Sequence, residues 1–213
     1  MNEVICLQED HKDLGIKMLD DGGFEAHIIS IIKKARQKIG WLCRSFRSRD
    51  IHFMQKMYII YVRPQLEYCS VLWCPGEGPF MDKIEKVQSD FTKLVPVIKN
   101  ETYSKRLQKM NLTSLERRFD RYEIFYVRKI LLDLVLNMGM NIRRGEDERN
   151  GIILEQIKPG KRVRNQSFLS AGPRIFNVLP KELRSLQDSM SIFKSKFDEF
   201  FNIIPDRPRF GEG

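Results

Sequence analysis

The stretch from Ile51 to Val95, IHFMQKMYIIYVRPQLEYCSVLWCPGEGPFMDKIEKVQSDFTKLV, constrains the fold most. Pro64 sits between two apolar runs and has no N–H to donate; it also biases Arg63 away from the α region. A helix that breaks before the proline is therefore expected over 51–62, with a second, apolar one over 65–73. Tyr58, Ile59, Tyr61 and Val62 supply apolar surface before the break; Leu66, Tyr68, Val71, Leu72 and Trp73 supply it after. The Pro75–Pro79 turn ends that run. Ile84, Val87, Phe91 and Leu94 then recur at helical spacing, predicting an amphipathic helix over 80–95. Each piece is too short to bury much alone, so the segment should close into a helical knot on which its flanks pack.

The flanks extend this helical pattern. Residues 1–19 hold two β-like runs, Val4–Leu7 and Leu14–Leu19, joined by QEDHKD, and allow at most a hairpin leaning on the helices. Asp20-Asp21-Gly22-Gly23 reads as a turn. A helix follows over 24–47, with Ile28, Ile31, Ile32, Ala35, Ile39, Leu42 and Phe46 on one side and Lys33, Arg36, Gln37, Gly40, Arg44 and Arg47 on the other. Seven basic residues and no acid lie between Lys33 and Arg49. A solvated helix face usually mixes signs for i,i+4 pairing, so this one favours polyanion contact over plain solvation. Gly40 costs about 1 kcal/mol in mid-helix relative to alanine. Close approach of a backbone or a phosphate would account for it, and so would a kink.

After the knot, Val95-Pro96 closes the last helix and Tyr103–Met110 makes a short one. Thr113 and Glu116 have capping-box spacing for a helix over 114–138 with Leu115, Phe119, Tyr122, Tyr126 and Ile130 as its stripe and Gly139 as its C-cap. Its end, Ile130 to Leu136, is apolar nearly all round and should be buried on more than one side. Residues 141–166, with RRGEDERNG and KPGKRVRNQ, lack hydrophobic periodicity and read as a basic flexible linker. A tail helix capped near Ser189 or Ser191 offers Ile192, Phe193, Phe197, Phe200 and Phe201. The fold class is mainly α, a helical bundle with at most a short N-terminal hairpin. Its expected divisions are 1–23 (hairpin), 24–140 (helical domain), 141–166 (linker) and 167–213 (helical tail).

Composition bounds the chemistry. The chain has 213 residues, 42% apolar and 31% charged, with a formal charge of +9; this suits one well-buried unit and favours polyanionic partners without naming one. Cys6, Cys43, Cys69 and Cys74 are too few and too scattered for a disulfide frame, and three sit in apolar helical patterns where free cysteine acts as a small hydrophobe. Cys69 and Cys74 have no second close Cys/His pair, since His11, His27 and His52 are dispersed, so core packing is favoured over zinc. No apolar run has signal-peptide or membrane-span character. A reducing compartment, nucleus or cytoplasm, is expected, with no membrane partner.

The order of several short motifs resembles the thumb and post-thumb region of non-LTR (LINE-like) retrotransposon reverse transcriptases. Lys12-Asp13-Leu14-Gly15-Ile16 resembles the strand that follows that family's palm active site, and His27-Ile28, Lys33-Lys34-Ala35 and Leu42-x-Arg44 resemble the start of its thumb helix. Val62-Arg63-Pro64, Leu66-Glu67-Tyr68, Ser70 and Trp73 match the central motif. Glu85-Lys86-Val87-Gln88, Thr92-Lys93-Leu94, Tyr103, Arg106-Leu107 and Leu115-Glu116-Arg117-Arg118 follow in the family's order. Phe176-Asn177-x-Leu179-Pro180 and Ser191-x-Phe193-Lys194 complete the resemblance. It implies a thumb that holds template and primer behind a polymerase site. Polymerisation needs two metal ions on palm carboxylates, and too few residues precede Leu14 to supply that palm. Asp20-Asp21 has a turn's glycines behind it and lacks the family's tyrosine. No catalytic residue, metal site or cofactor is therefore expected in this chain.

The favoured expectation is a sequence-independent binder of DNA or RNA duplex or hybrid backbone, without a small-molecule substrate. Its candidate contacts are Lys33, Arg36, Gln37, Arg44 and Arg47, with Lys158, Lys161, Arg162 and Arg164 as a second patch. Two other readings stay open. One is part of an active RNA-directed DNA polymerase whose palm lies outside this chain; the other is a non-functional relic or a protein-interaction domain.

Overall fold

The computed structural model describes residues 10–20, 22–76, 78–135, 140, 152–156, 168–185 and 188–206. It is mainly helical with one two-stranded hairpin. β1 (Asp10–Asp13) pairs antiparallel with β2 (Ile16–Leu19), Asp13 opposite Ile16. The hairpin is displaced from the expected one: part of the stretch read as a connection is itself a strand, and Val4–Leu7 falls outside the described residues. Leu14 and Gly15 both adopt positive φ, 45° and 87°, the left-handed pair that a two-residue hairpin turn needs. Ile16 is buried against the helices, and the Tyr68 hydroxyl donates to the Leu14 carbonyl at 3.2 Å. Gly22 N donates to the Leu19 carbonyl and Leu19 N to the Gly23 carbonyl, where the turn is expected.

α1 (Glu25–Ser45) runs unbroken and buries Ile28, Ile31, Ile32, Ala35 and Leu42 as its spacing predicts. Phe46 is extended, so Phe46 and Arg47 lie beyond the helix.

The proline break is corrected. α2 (Ile51–Met57), a π-helical turn (Tyr58–Val62) and α3 (Arg63–Glu67) follow without interruption, and Arg63 is itself α-helical at φ −55°, ψ −43°. In a regular α-helix the Pro64 ring would press on the carbonyl one turn back. The wider turn relieves this, with Arg63 N donating five residues back to the Tyr58 carbonyl. The real break comes after the proline, where Tyr68 turns extended and Cys69 takes φ +52° before α4 (Ser70–Trp73). That turn leaves Tyr68, Leu72 and Cys69 exposed, against the expectation that they add to the core.

α5 (Pro79–Thr92) begins on its proline, a 3-10 turn follows at Pro96–Ile98, and α6 (Tyr103–Lys109) leads into α7 (Leu115–Leu131). Tyr58, Leu66, Trp73, Ile84, Val87 and Phe91 are all at most 1% exposed and form the centre of the first core. The cap of α7 is Ser114, whose hydroxyl accepts from Arg117 N at 3.3 Å; Thr113 instead gives its carbonyl to Gln88. The helix also ends early. Leu132 caps it, Asp133 takes φ +54°, and Leu134 is exposed, so all-round burial falls earlier, over Phe119–Ile130. Gly139 is outside the described residues.

α7 is buried on more than one side because it belongs to two cores. Leu115 and Phe119 enter the first; Ile124, Phe125, Val127 and Ile130 enter the second, with α8 (Phe168–Val178), a 3-10 turn (Lys181–Arg184) and α9 (Met190–Ile203). Phe193 and Phe197 of α9 are fully buried, whereas Ile192 is half-exposed and lies off that face. The linker reading fails at residues 152–156: Leu154 is 1% exposed, and its N–H and carbonyl pair with the Asn177 amide, both at 2.9 Å. Ile152 packs on the same core, its N–H donating to the Arg184 carbonyl and its carbonyl accepting from the Arg184 guanidinium. The short run Ile152–Leu154 has no periodicity to announce it.

α7 and α8 meet closely at Gly172, where an added Cβ would lie 2.9 Å from Val127 Cγ2 and 3.1 Å from the Phe168 ring. Gly172→Ala should therefore destabilise the protein by about 1–3 kcal/mol through overpacking despite alanine's better helix propensity. A urea midpoint at or above that of the unchanged protein would contradict this contact.

Candidate nucleic-acid interface

The inward stripe of α1 fixes where its other side points. With Ile28, Ile31, Ile32 and Ala35 buried, Lys33, Arg36, Gln37 and Arg44 are exposed along the opposite face. The structure brings these four together with Gly40 in one open groove of about 740 Å³. Its far wall is Lys83, from the first turn of α5, which packs alongside α1. The sequence reading missed Lys83. The signal was present: Ile84 and Val87 define the buried side of α5, which turns Lys83 outward, but nothing local says that this side faces α1.

Four cations and one amide thus share a groove, and among the described residues none of the four cations makes an ion pair. Carboxylates are close in sequence (Asp82 on α5), but none lines the groove. Gly40 lies at its centre. A Cβ there would sit 3.3 Å from the Arg44 guanidinium, so the glycine lets Arg44 lie against the helix backbone.

Other expected contacts separate from the groove. Arg47 is exposed but lies past the helix end and does not line it. Arg49, counted in the one-signed run, is used structurally: its guanidinium donates to the carbonyls of Cys43, Phe46 and Ser48, closing the C-terminus of α1. Lys158, Lys161, Arg162 and Arg164 lie outside the described residues. Trp41 is 41% exposed on the same helix, with the Lys38 ammonium 5.4 Å from its ring centre; it adds an aromatic surface that the stripe analysis passed over.

Lys33 and Arg44 belong to the motifs and line the groove; the polar motif residues from Glu67 onward fall elsewhere, in largely buried networks. The Tyr58 hydroxyl donates to Gln88 Oε1 at 2.6 Å, Gln88 Nε2 donates to the Tyr103 hydroxyl at 3.0 Å, and that hydroxyl donates to Glu85. Glu85 also accepts from Leu115 N at 2.9 Å and Glu116 N at 3.2 Å, the first amides of α7. Arg106 donates to Thr92, Ser89 and the Glu101 carbonyl, and Arg118 forks onto Glu67 beside Tyr122. Burial pushes the Tyr58 and Tyr103 hydroxyls well up, keeping them donors at neutral pH. Burial also pushes the Glu85 carboxyl up to about 7, against the downward pull of Tyr103 and the Glu116 and Leu115 amides.

No cluster of three metal-ligating side chains exists among the described residues, and none of their helices is long and apolar enough to cross a membrane. No family model, curated protein or solved structure matches this chain.

The shifted Glu85 carboxyl makes a pH prediction. Its ordinary value is 4.5 and its folded value about 7. Across that window the folded state holds a proton that the unfolded chain has released, so this group's contribution to stability falls as pH rises and levels off above it. Glu85→Gln should cost about 1–3 kcal/mol by giving two donors of α7 a poorer acceptor. Its stability deficit should shrink between pH 5 and pH 7.5, read from urea midpoints. A deficit that grows over that range would reverse the assignment.

Proposed function

We propose that this chain is a nucleic-acid-binding module that holds the backbone of duplex or hybrid DNA or RNA in the groove between α1 and α5, without reading sequence. One observation carries this: Lys33, Arg36, Arg44 and Lys83 line a single groove with no carboxylate among its described lining residues. Backbone contacts of this kind position a duplex and supply salt-dependent affinity, while sequence is read elsewhere by base edges.

The wider reading is of a reverse-transcriptase-like thumb fragment that lacks its catalytic palm. It is supported by the way the motif residues use one another: Glu67 with Arg118, Glu85 and Gln88 with Tyr103, and Arg106 with Thr92. Motifs far apart in sequence that become partners in space form one packing solution. On this reading the chain binds template and primer and does not polymerise. Asp20 belongs to the turn before α1.

Binding to a short RNA–DNA hybrid should show a log–log salt slope near −3 to −4 if about four phosphates are neutralised. Replacing Lys33, Arg36, Arg44 and Lys83 together by glutamine should flatten the slope and weaken binding on all sequences alike. Replacing the exposed, dispersed Lys56, Lys93, Lys99 and Lys105, an equal charge change, should do far less. Equal losses from both sets would reduce the groove to net charge.

A further inference from the structure

A second cleft, of about 460 Å³, lies among α7, α8 and the end of α9, a size that suits a small organic molecule. Phe119, Ile124, Ile175, Leu179 and Phe200 line it, and the exposed Val178 and Ile204 carry its apolar wall to the rim. Glu116, Asp120 and Glu123, one face of α7, also line it, and among the described residues Arg174 of α8 is its single lining cation. The polarity is thus opposite to that of the α1–α5 groove.

Glu123 stands apart within this set. It is 4% exposed, and its Oε2 has no hydrogen-bond partner. The thiol of Cys74 donates to its carboxylate, and Glu116 and Asp120 have contacts of their own. Arg174 is exposed and acts on Glu123 only through space, since no ion pair joins them. A buried acceptor left without a donor costs as much as a lost hydrogen bond. A donor brought by a ligand would remove that cost, and in apolar surroundings a cationic donor serves best.

We propose that this cleft binds an apolar organic ammonium ion, its hydrocarbon part between Phe119 and Phe200 and its N–H donating to Glu123 Oε2. The site shares no lining residue with the basic groove, so it stands or falls independently of nucleic-acid binding. Four groups face Glu123: Glu116 and Asp120 on α7, Cys74 after α4, and Arg174 on α8. Burial, with Asp120 adding to it, pushes the Glu123 carboxyl up to about 7, while Cys74 and Arg174 pull it down. A cation prefers the ionised form, so binding strengthens as pH rises through that value.

The test compares 4-phenylbutylammonium, 4-phenylbutanol and 4-phenylbutyrate by calorimetry on the full chain at pH 6 and pH 8. At pH 8 the ammonium should bind roughly tenfold or more tightly than the alcohol, the worth of one charge-assisted hydrogen bond, and the carboxylate weakest. The preference should shrink at pH 6. Glu123→Gln should abolish it while leaving alcohol binding in place, and Arg174→Ala, an exposed change, should tighten ammonium binding. Equal affinity for all three probes, absence of binding, or a preference that survives Glu123→Gln would overturn the proposal. If Glu123→Gln does not fold, the Arg174→Ala affinity and the shift of the Ile124 methyl signals on ammonium titration decide it.

Discussion

The placement of α7 depends on one carboxylate. A helix begins with amides that have no partner inside it, and the start of α7 is buried where water cannot serve them. Glu85, from the middle of α5, accepts from Leu115 N and Glu116 N, and Ser114 accepts from Arg117 N. Asp206, from beyond α9, takes the N–H and hydroxyl of Ser114 at 2.7 and 2.8 Å. Negative charge here also faces the positive end of the helix dipole. Burying a carboxylate is costly, and its three donors offset only part of that cost, which is why its carboxyl is held up near 7. Since α7 passes through both cores, fixing its first turn on α5 sets where the second core can form. The same α5 presents Lys83 to α1 from its outer side, so core and groove share one support.

Most of the polar motif residues outside α1 belong to these supports. Glu85, Gln88, Tyr103 and Arg106 bond α5 to α6, and Glu67 with Arg118 and Tyr122 ties α3 to α7 at short range. Asn177 fastens residues 152–156 to α8. Buried polar groups of this kind must be satisfied in one arrangement, which favours a single packing of short helices that hydrophobicity alone would leave interchangeable. The groove residues have a different character: they are exposed and long, and only their sign and spacing distinguish them.

Periodicity was a sound guide where one face alone is buried. The apolar stripe of α1 and the inward positions of α5 were legible for that reason, and the basic stripe followed by subtraction. It failed where the backbone departs from regular geometry. Pro64 announced a break, yet a π turn absorbed it and the break moved to Cys69, a residue without any turn signature. Thr113 had the capping-box spacing, but Gln88 captured its carbonyl, and Ser114 took the role. Lys83 and Glu123 were invisible for a shared reason. Each is an ordinary charged residue on a helix, and the groups that give it a setting come largely from other elements far away in sequence, α1 for Lys83 and Cys74 and Arg174 for Glu123. Leu154 was lost in a charged stretch because the three-residue apolar run Ile152–Leu154 is too short to make a pattern.

The central claim is that the α1–α5 groove touches nucleic acid, and the arginine side chains report on it most directly. In Nε–Hε NMR spectra titrated with a short RNA–DNA hybrid, the Arg36 and Arg44 signals should shift and slow their exchange with water. Those of the buried Arg106, whose Nε–H donates to Thr92, and Arg128, whose terminal nitrogens donate to the Ser185 and Asp188 carbonyls, should stay in place. Movement of the buried pair, or of no arginine in the groove while binding proceeds, would contradict the account.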